Sequence, residues 1–116
     1  MKLINAKAHG VLDYLVVLLF LAAPSLFHLS AVPAAISYSL AGIHLALTLL
    51  TDFPLGLVKV IPLKWHGVIE LIVAPCLVAL PFVLSLTAEP AALYFYAANG
   101  VVLFIVWCLT DYSKRN

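Results

Sequence analysis

Apolar residues run along this chain in four long blocks, about residues 10–30, 33–51, 67–87 and 91–110, and polar residues gather where the blocks meet. Each block comes close to the ~20 residues that an α-helix needs to cross the hydrocarbon core of a bilayer. Open strands are a poor reading of the same blocks, because lipid offers no partner for their backbone N–H and C=O groups. The pattern predicts an all-α, polytopic membrane protein with four transmembrane helices. The links around Ser30–Pro33 and Thr87–Pro90 leave room only for tight turns, so consecutive helices are expected to run antiparallel as hairpins.

Displaced by 57 residues, the sequence meets itself. His9-Gly10-Val11 falls on His66-Gly67-Val68, Asp13 on Glu70, Pro24 on Pro81, Ser30 on Thr87 and Pro33 on Pro90. Further on the match slips by a residue or two, with Gly42 meeting Gly100 and Thr51-Asp52-Phe53 meeting Thr110-Asp111-Tyr112. The expectation is a single membrane domain over residues 1–116, made of tandem hairpin repeats at about 9–52 and 66–111. Each unit crosses twice, so the copies would be parallel, related by an approximate two-fold axis along the membrane normal. Ser30 and Thr87 are expected to cap the helices that follow them, with Pro33 and Pro90 in the first turn. Pro24 and Pro81 are expected to kink or stop the odd helices near their far ends. Gly10, Gly67, Gly42 and Gly100 suit close helix contacts, and Gly10 and Gly67 suit helix starts equally.

Composition strengthens this picture: 66% of the 116 residues are hydrophobic and 9% charged, against roughly a quarter charged in a soluble domain. A water-soluble fold this small could not bury so much apolar surface. Lys2, Lys7, Lys59, Lys64, Lys114 and Arg115 all fall on one side of the four blocks. The positive-inside rule makes that side cytoplasmic, with both termini inside and the protein in the cell (inner or plasma) membrane. The first block resembles a signal peptide, but Pro24 obstructs cleavage and a near copy recurs in mid-chain. Cys76 and Cys108 form no C-x-x-C pair and are expected as buried free thiols. That excludes the four-helix membrane thiol oxidoreductases. The one-sided charge also fits poorly with the antiparallel assembly of small multidrug transporters. The net charge of +1 gives no reason to expect a nucleic-acid partner.

The run Ala8-His9-Gly10-Val11-Leu12-Asp13-Tyr14, followed by Ala22-Ala23-Pro24-Ser25-Leu26-Phe27, Thr51-Asp52, Gly56-Leu57-Val58-Lys59 and His66-Gly67-Val68-Ile69-Glu70, resembles the small bacterial and archaeal membrane proteins with a Ser-Pro-Trp repeat. The resemblance covers nearly the whole chain. It implies two transmembrane helices per repeat with the tripeptide in the first, and it implies no established activity. Here the tripeptide positions read Ala23-Pro24-Ser25 and Leu80-Pro81-Phe82, which keep the proline alone.

His9 and Asp13 share one helix face, as do His66 and Glu70, because residues four apart are helical neighbours. With Asp52 and Asp111 at the ends of the second and fourth helices, six polar groups are expected at one depth near the cytoplasmic rim. They would form two related clusters or one central one. First-turn carboxylates are favoured by the helix macrodipole, and imidazoles there can tie hairpins together. The reading from residues alone is therefore a small structural or interaction protein, with no catalytic residues assigned. One alternative is an oligomeric small ion or solute transporter or channel. Another is a transition-metal site at the inner rim, for which imidazole and carboxylate are acceptable ligands, although the Glu-x-x-His pattern of carboxylate-bridged bundles is absent. His44 and Asn99 lie deeper and are expected as buried polar residues, each bonded within the bundle. No other cofactor is expected. Expected partners are the lipid bilayer and a second copy of the chain or another membrane protein. The aromatics Trp65, Trp107, Tyr112 and Tyr14 at one end and Tyr94, Phe95 and Tyr96 at the other are expected as interfacial belts.

Overall fold

The computed structural model describes residues 2–114, and Arg115, counted above among the one-sided basic residues, lies outside them. The chain runs α1 (Ala6–Leu26), α2 (Ala31–Leu50), β1 (Thr51–Asp52), β2 (Ile61–Pro62), α3 (Leu63–Val83) and α4 (Pro90–Leu109). All four helices are long and apolar enough to cross a membrane, and the fold is an all-α, multi-pass bundle.

Both odd helices start and stop four residues before the apolar blocks do. Lys7 and Lys64 interrupt the hydropathy without interrupting the helix. At the start of α1 the Asn5 side chain accepts a hydrogen bond from Ala8 N–H at 2.8 Å, which satisfies one of the orphan donors of a helix end. At the far ends the backbone turns left-handed, at His28 (φ 50°) and Ser85 (φ 56°), which stand 57 residues apart. A non-glycine residue there costs about 1–2 kcal/mol. Closure offsets it: Leu29 N–H donates to Pro24 O at 3.1 Å, and Leu86 N–H donates to Pro81 O at 2.7 Å. These are the long return bonds that finish a helix with a left-handed residue. Pro24 and Pro81 thus lie inside the helices, and their carbonyls anchor the stop. Pro24 also lacks the N–H that would bond Phe20 O, and the Ser37 hydroxyl of α2 donates to that carbonyl instead, at 2.6 Å.

The expected caps change. Ser30 holds the N-cap position of α2, but its side chain makes no capping bond. The cap of α4 is Glu89, with Pro90 as the first helical residue, so Thr87 stands outside the helix.

At the end bearing the lysines, hereafter the basic end, short extended segments join the hairpins. Thr51 pairs with Ile61 and Asp52 with Pro62 in a parallel register. A matching parallel bridge joins Ile4 to Thr110, with Ile4 N–H donating to Leu109 O and Asp111 N–H to Ile4 O, both at 2.9 Å. The residue after each even helix is therefore tied to the residue two places before the odd helix of the other hairpin. Lys2 adds an ammonium bond to Cys108 O at 3.2 Å, at the negative end of α4.

Helix α1 packs along α2, and α3 along α4. Between the hairpins lies a core of Val17, Phe20, Ala23, Ala41, Leu77, Phe95 and Tyr96. Phe20 meets Phe95 edge to face, with centroids 5.2 Å apart. A smaller core of Ala6, Phe53 and Leu63 closes the basic end. Gly100 lets α4 approach α3, since a Cβ there would lie 2.6 Å from Ala74 O, whereas Gly42 faces open space. Leu18, Ile43, Ile72 and Phe104 point outward, as lipid allows. Cys76 is exposed and Cys108 half-buried, both free, so the expected burial of the thiols fails on outward helix faces. Phe95 and Tyr96 likewise leave the expected outer belt for the core, while Tyr94 stays exposed.

The Tyr96 hydroxyl donates to Pro33 O at 2.6 Å and joins α4 to α2 across the hairpins. Tyr96→Phe should lower unfolding free energy in detergent by about 1 kcal/mol. Tyr94→Phe should leave it unchanged, and equal loss in both variants would contradict this placement.

Candidate functional site

Because α1 and α3 begin early, Asp13 and Glu70 are the eighth residues of their helices, and neither helix carries an acid in its first turn. The macrodipole account of these carboxylates therefore lapses. Two turns into the bundle, His9 and His66 are fully buried and Asp13 and Glu70 are 3% and 2% exposed. The four meet in one central cluster.

The geometry starts from two threonines. Thr110 Oγ1 donates to Val106 O and Thr51 Oγ1 to Leu47 O, both at 2.6 Å and both one turn back along the helix. With its proton so used, each hydroxyl accepts from an imidazole: His9 Nδ1–H donates to Thr110 Oγ1 at 2.9 Å, and His66 Nδ1–H to Thr51 Oγ1 at 2.7 Å. Again each histidine of one hairpin is held by the other hairpin. The second ring nitrogen, Nε2, is thereby turned inward in both rings.

Inside, His9 Nε2 lies 2.9 Å from Glu70 Oε1 and 3.2 Å from Asp13 Oδ1. His66 Nε2 bonds Glu70 Oε1 and lies 3.2 Å from Asp13 Oδ2. The rings stand edge to face, 5.4 Å apart. One ligand atom from each of His9, Asp13, His66 and Glu70 falls within 4.8 Å of all the others. His44 Nε2, from α2, approaches Asp13 Oδ1 at 3.4 Å. Asp13 thus meets three imidazoles, those of His9, His44 and His66, each through a ring Nε2.

Aromatic rings cover the cluster at the basic end. Phe53 lies 6.0 Å from the His66 ring and Tyr112 5.5 Å from the His9 ring. Each ring needs the glycine after a histidine: a Cβ at Gly10 would sit 2.7 Å from Phe53 Cε2, and one at Gly67 would sit 3.0 Å from Tyr112 Cδ1. The two glycines thus seat a cover of rings rather than a helix–helix contact. Burial, then the nearby Glu70 and Asp13 carboxylates, hold the Tyr112 phenol above its ordinary pKa. It keeps its proton and points it toward Glu70 Oε2 at 3.4 Å.

Asp52 and Asp111 do not belong to the convergent group. In an extended segment successive side chains alternate, so Thr51 and Phe53 turn in while Asp52 between them is half-buried. Likewise Thr110 turns in, and the Asp111 carboxylate accepts bonds from Ser113 N–H at 3.0 Å and Ser113 Oγ at 2.5 Å. Those bonds hold it below the usual carboxylate range. Asn99 donates to Phe95 O at 2.7 Å within its own helix. Sequence reasoning named the six rim groups but missed Thr51, Thr110, Phe53 and Tyr112. Their signal was the recurrence of the whole Thr-Asp-aromatic triplet, of which only the aspartates were read as chemistry.

Set against family models, curated proteins and solved structures, the chain matches none.

Thr110→Val should leave the buried His9 Nδ1–H without an acceptor, at a cost of about 1–3 kcal/mol, and Thr51→Val should do the same for His66. Imidazole ¹⁵N spectra should show Nδ1 protonated in both rings of the parent and mixed tautomers in the affected ring. Asp111→Asn should shift stability by less than about 0.5 kcal/mol. Unchanged tautomers in the valine variants would refute the threonine lock.

Proposed function

We propose that this multi-pass membrane protein holds a divalent first-row transition ion between its hairpins, with His9, Asp13, His66 and Glu70 as ligands. The observation that carries this reading is the convergence of four ligand atoms within 4.8 Å while both Nδ1–H groups are held outward by threonine. Metal-bound histidines ordinarily use the second ring nitrogen in this way, which fixes the tautomer and orients the ring. Two neutral imidazoles and two carboxylates also neutralise a divalent ion, which suits a dry, low-dielectric site. Mixed nitrogen and oxygen ligands favour ions such as zinc, iron(II) or manganese. The biochemical role is that of a membrane protein whose hairpins are joined through a bound ion, since binding energy at such a site becomes assembly energy.

A second reading rests on His9 Nε2 and His66 Nε2 both facing Glu70 Oε1. With both imidazoles doubly protonated and no ion, two cations would face two carboxylates, and the cluster would be a neutral fastener. The rings of Phe53 and Tyr112 over the basic end count against a conduction path through the cluster.

The same proposal takes the chain as two copies of one hairpin, parallel about the membrane normal. The supports are the 57-residue recurrence of the left-handed residues His28 and Ser85 and the matching bridges at Ile4 and Ile61. Kinship with the Ser-Pro-Trp repeat proteins rests on the motifs and on Pro24 and Pro81 occupying the same place in α1 and α3. Residence in the cell membrane with both termini cytoplasmic rests on the lysines gathered at one end. Partners are lipid and, through outward apolar faces, further membrane chains.

Elemental analysis after purification in mild detergent without chelator should find about one divalent ion per chain, lost in the Asp13→Asn/Glu70→Gln variant. Fewer than about 0.1 ions per chain after dialysis against zinc, iron(II) and manganese in turn would overturn the metal reading. Doubly protonated imidazoles in the ¹⁵N spectrum of that ion-free sample would then establish the fastener.

A further inference from the structure

The link between the hairpins folds back on the helices instead of looping away from them. Leu57 N–H and Val58 N–H donate to Leu49 O at 2.7 and 3.0 Å, and Val60 N–H donates to Leu50 O at 3.1 Å. These bonds fill carbonyls that the end of α2 leaves without a helical partner, so the segment lies along the last turn of that helix. The Tyr14 hydroxyl donates to Leu55 O at 2.7 Å and ties the link to α1 as well. Side chains that emerge from a segment so held stand at the level where hydrocarbon meets water. They are apolar: Leu57 is 76% exposed and Val60 64%, and Val58 and Trp65, the third residue of α3, are exposed beside them.

Cations are interleaved with them. Lys59 stands between Val58 and Val60, and Lys7 and Lys64 are the second residues of α1 and α3, all three exposed. Lys7 is three residues before Gly10 and seven before Tyr14, on the α1 face that meets the link. Among the described residues no carboxylate pairs with Lys7, Lys59 or Lys64. Helix stability gives no reason for a cation at a helix start, where the macrodipole favours an anion. An exposed apolar patch rimmed by charge marks a contact with protein or membrane. Lysine is depleted from protein–protein interfaces, whereas segments that lie in a membrane interface combine it with tryptophan and leucine, its stem on apolar surface and its ammonium among the headgroups. The patch therefore fits lipid better than a protein partner, and its sign selects the lipid.

We propose that residues 54–62, with Lys7, Lys64 and Trp65, form a docking surface for anionic phospholipids. Lys7, Lys59 and Lys64 meet the headgroup phosphates, Leu57, Val58 and Val60 meet the first carbons of the acyl chains, and Trp65 sits between the two layers. This rests on the four helices crossing the bilayer and is independent of the bound ion.

The test uses the full-length Trp107→Phe protein, in which Trp65 is the remaining tryptophan. It is reconstituted in mixed vesicles of phosphatidylcholine and phosphatidylglycerol, with one lipid or the other brominated near the glycerol end of its chains. Both should quench Trp65 fluorescence. At low salt phosphatidylglycerol should show a relative association constant roughly fivefold above that of phosphatidylcholine, the contribution of about one lysine at a charged surface. Lys59→Gln/Lys64→Gln should bring the ratio close to one, while Lys59→Arg/Lys64→Arg should keep it. Salt at about 1 M, where the Debye length is about 3 Å, should abolish the preference without a substitution. Both lysines are exposed, so quenching by phosphatidylcholine should stay the same in every variant. Equal quenching by the two lipids at low salt, or a preference that survives the glutamine substitutions, overturns the docking surface and leaves the bilayer reading standing. Quenching by neither lipid overturns both.

Discussion

A proton on the Nδ1 of two buried histidines governs the centre of this molecule. Each threonine hydroxyl spends its own hydrogen on a carbonyl one turn back, so it can only accept from the imidazole beside it. That single constraint fixes the ring orientation of His9 and His66 and sends both Nε2 atoms toward Asp13 and Glu70. Without it, either ring could flip and bond its own helix neighbour, and the four groups would form two local pairs. With it, the carboxylates and imidazoles of α1 and α3 become one cluster.

The constraint has weight because of the solvent. Lipid gives hairpins no hydrophobic reason to associate, so packing and polar contacts between helices must hold them together. In this chain the joining contacts cross over: Thr110 of the second hairpin holds His9 of the first, and Thr51 of the first holds His66 of the second. The backbone repeats the exchange, Ile4 with Thr110 and Ile61 with Thr51. Neither hairpin can complete its own half of the cluster. The glycines after the histidines extend the same logic, since the rings they admit belong to the triplets that carry the threonines.

Much of this was legible in the sequence, and what was not has a physical cause. Helix number and type follow from the length of the apolar blocks, which the bilayer thickness dictates. Helix ends did not follow, because hydropathy registers Lys7 as a boundary while the backbone registers Asn5 and His28. That four-residue error placed Asp13 and Glu70 in the first turn and suggested a macrodipole explanation for groups that are two turns deep. The aspartates of the Thr-Asp-aromatic triplets were chosen for their charge. The extended backbone that turns threonine and ring inward and leaves the acid outside depends on pairing with a segment far away in sequence, Ile4 or Ile61, and no local pattern announces it.

The boundary between what the hairpins share and what they do not is itself informative. At the basic end the threonine–imidazole bonds, the ring covers and the parallel bridges each have a counterpart. Shared features of this kind are what assembly alone requires, because each half must grip the other. Beyond the carboxylates the counterparts cease, and His44 and Asn99 face a cavity whose opposite positions are Val102 and Ala41. There the His44 ring brings its Nε2 to 3.4 Å from Asp13 Oδ1, a contact that the valine in the equivalent place cannot make. The departure from likeness therefore sets a third imidazole beside Asp13, while Glu70 faces only His9 and His66 among the histidines, and the two carboxylates of the cluster are not equivalent.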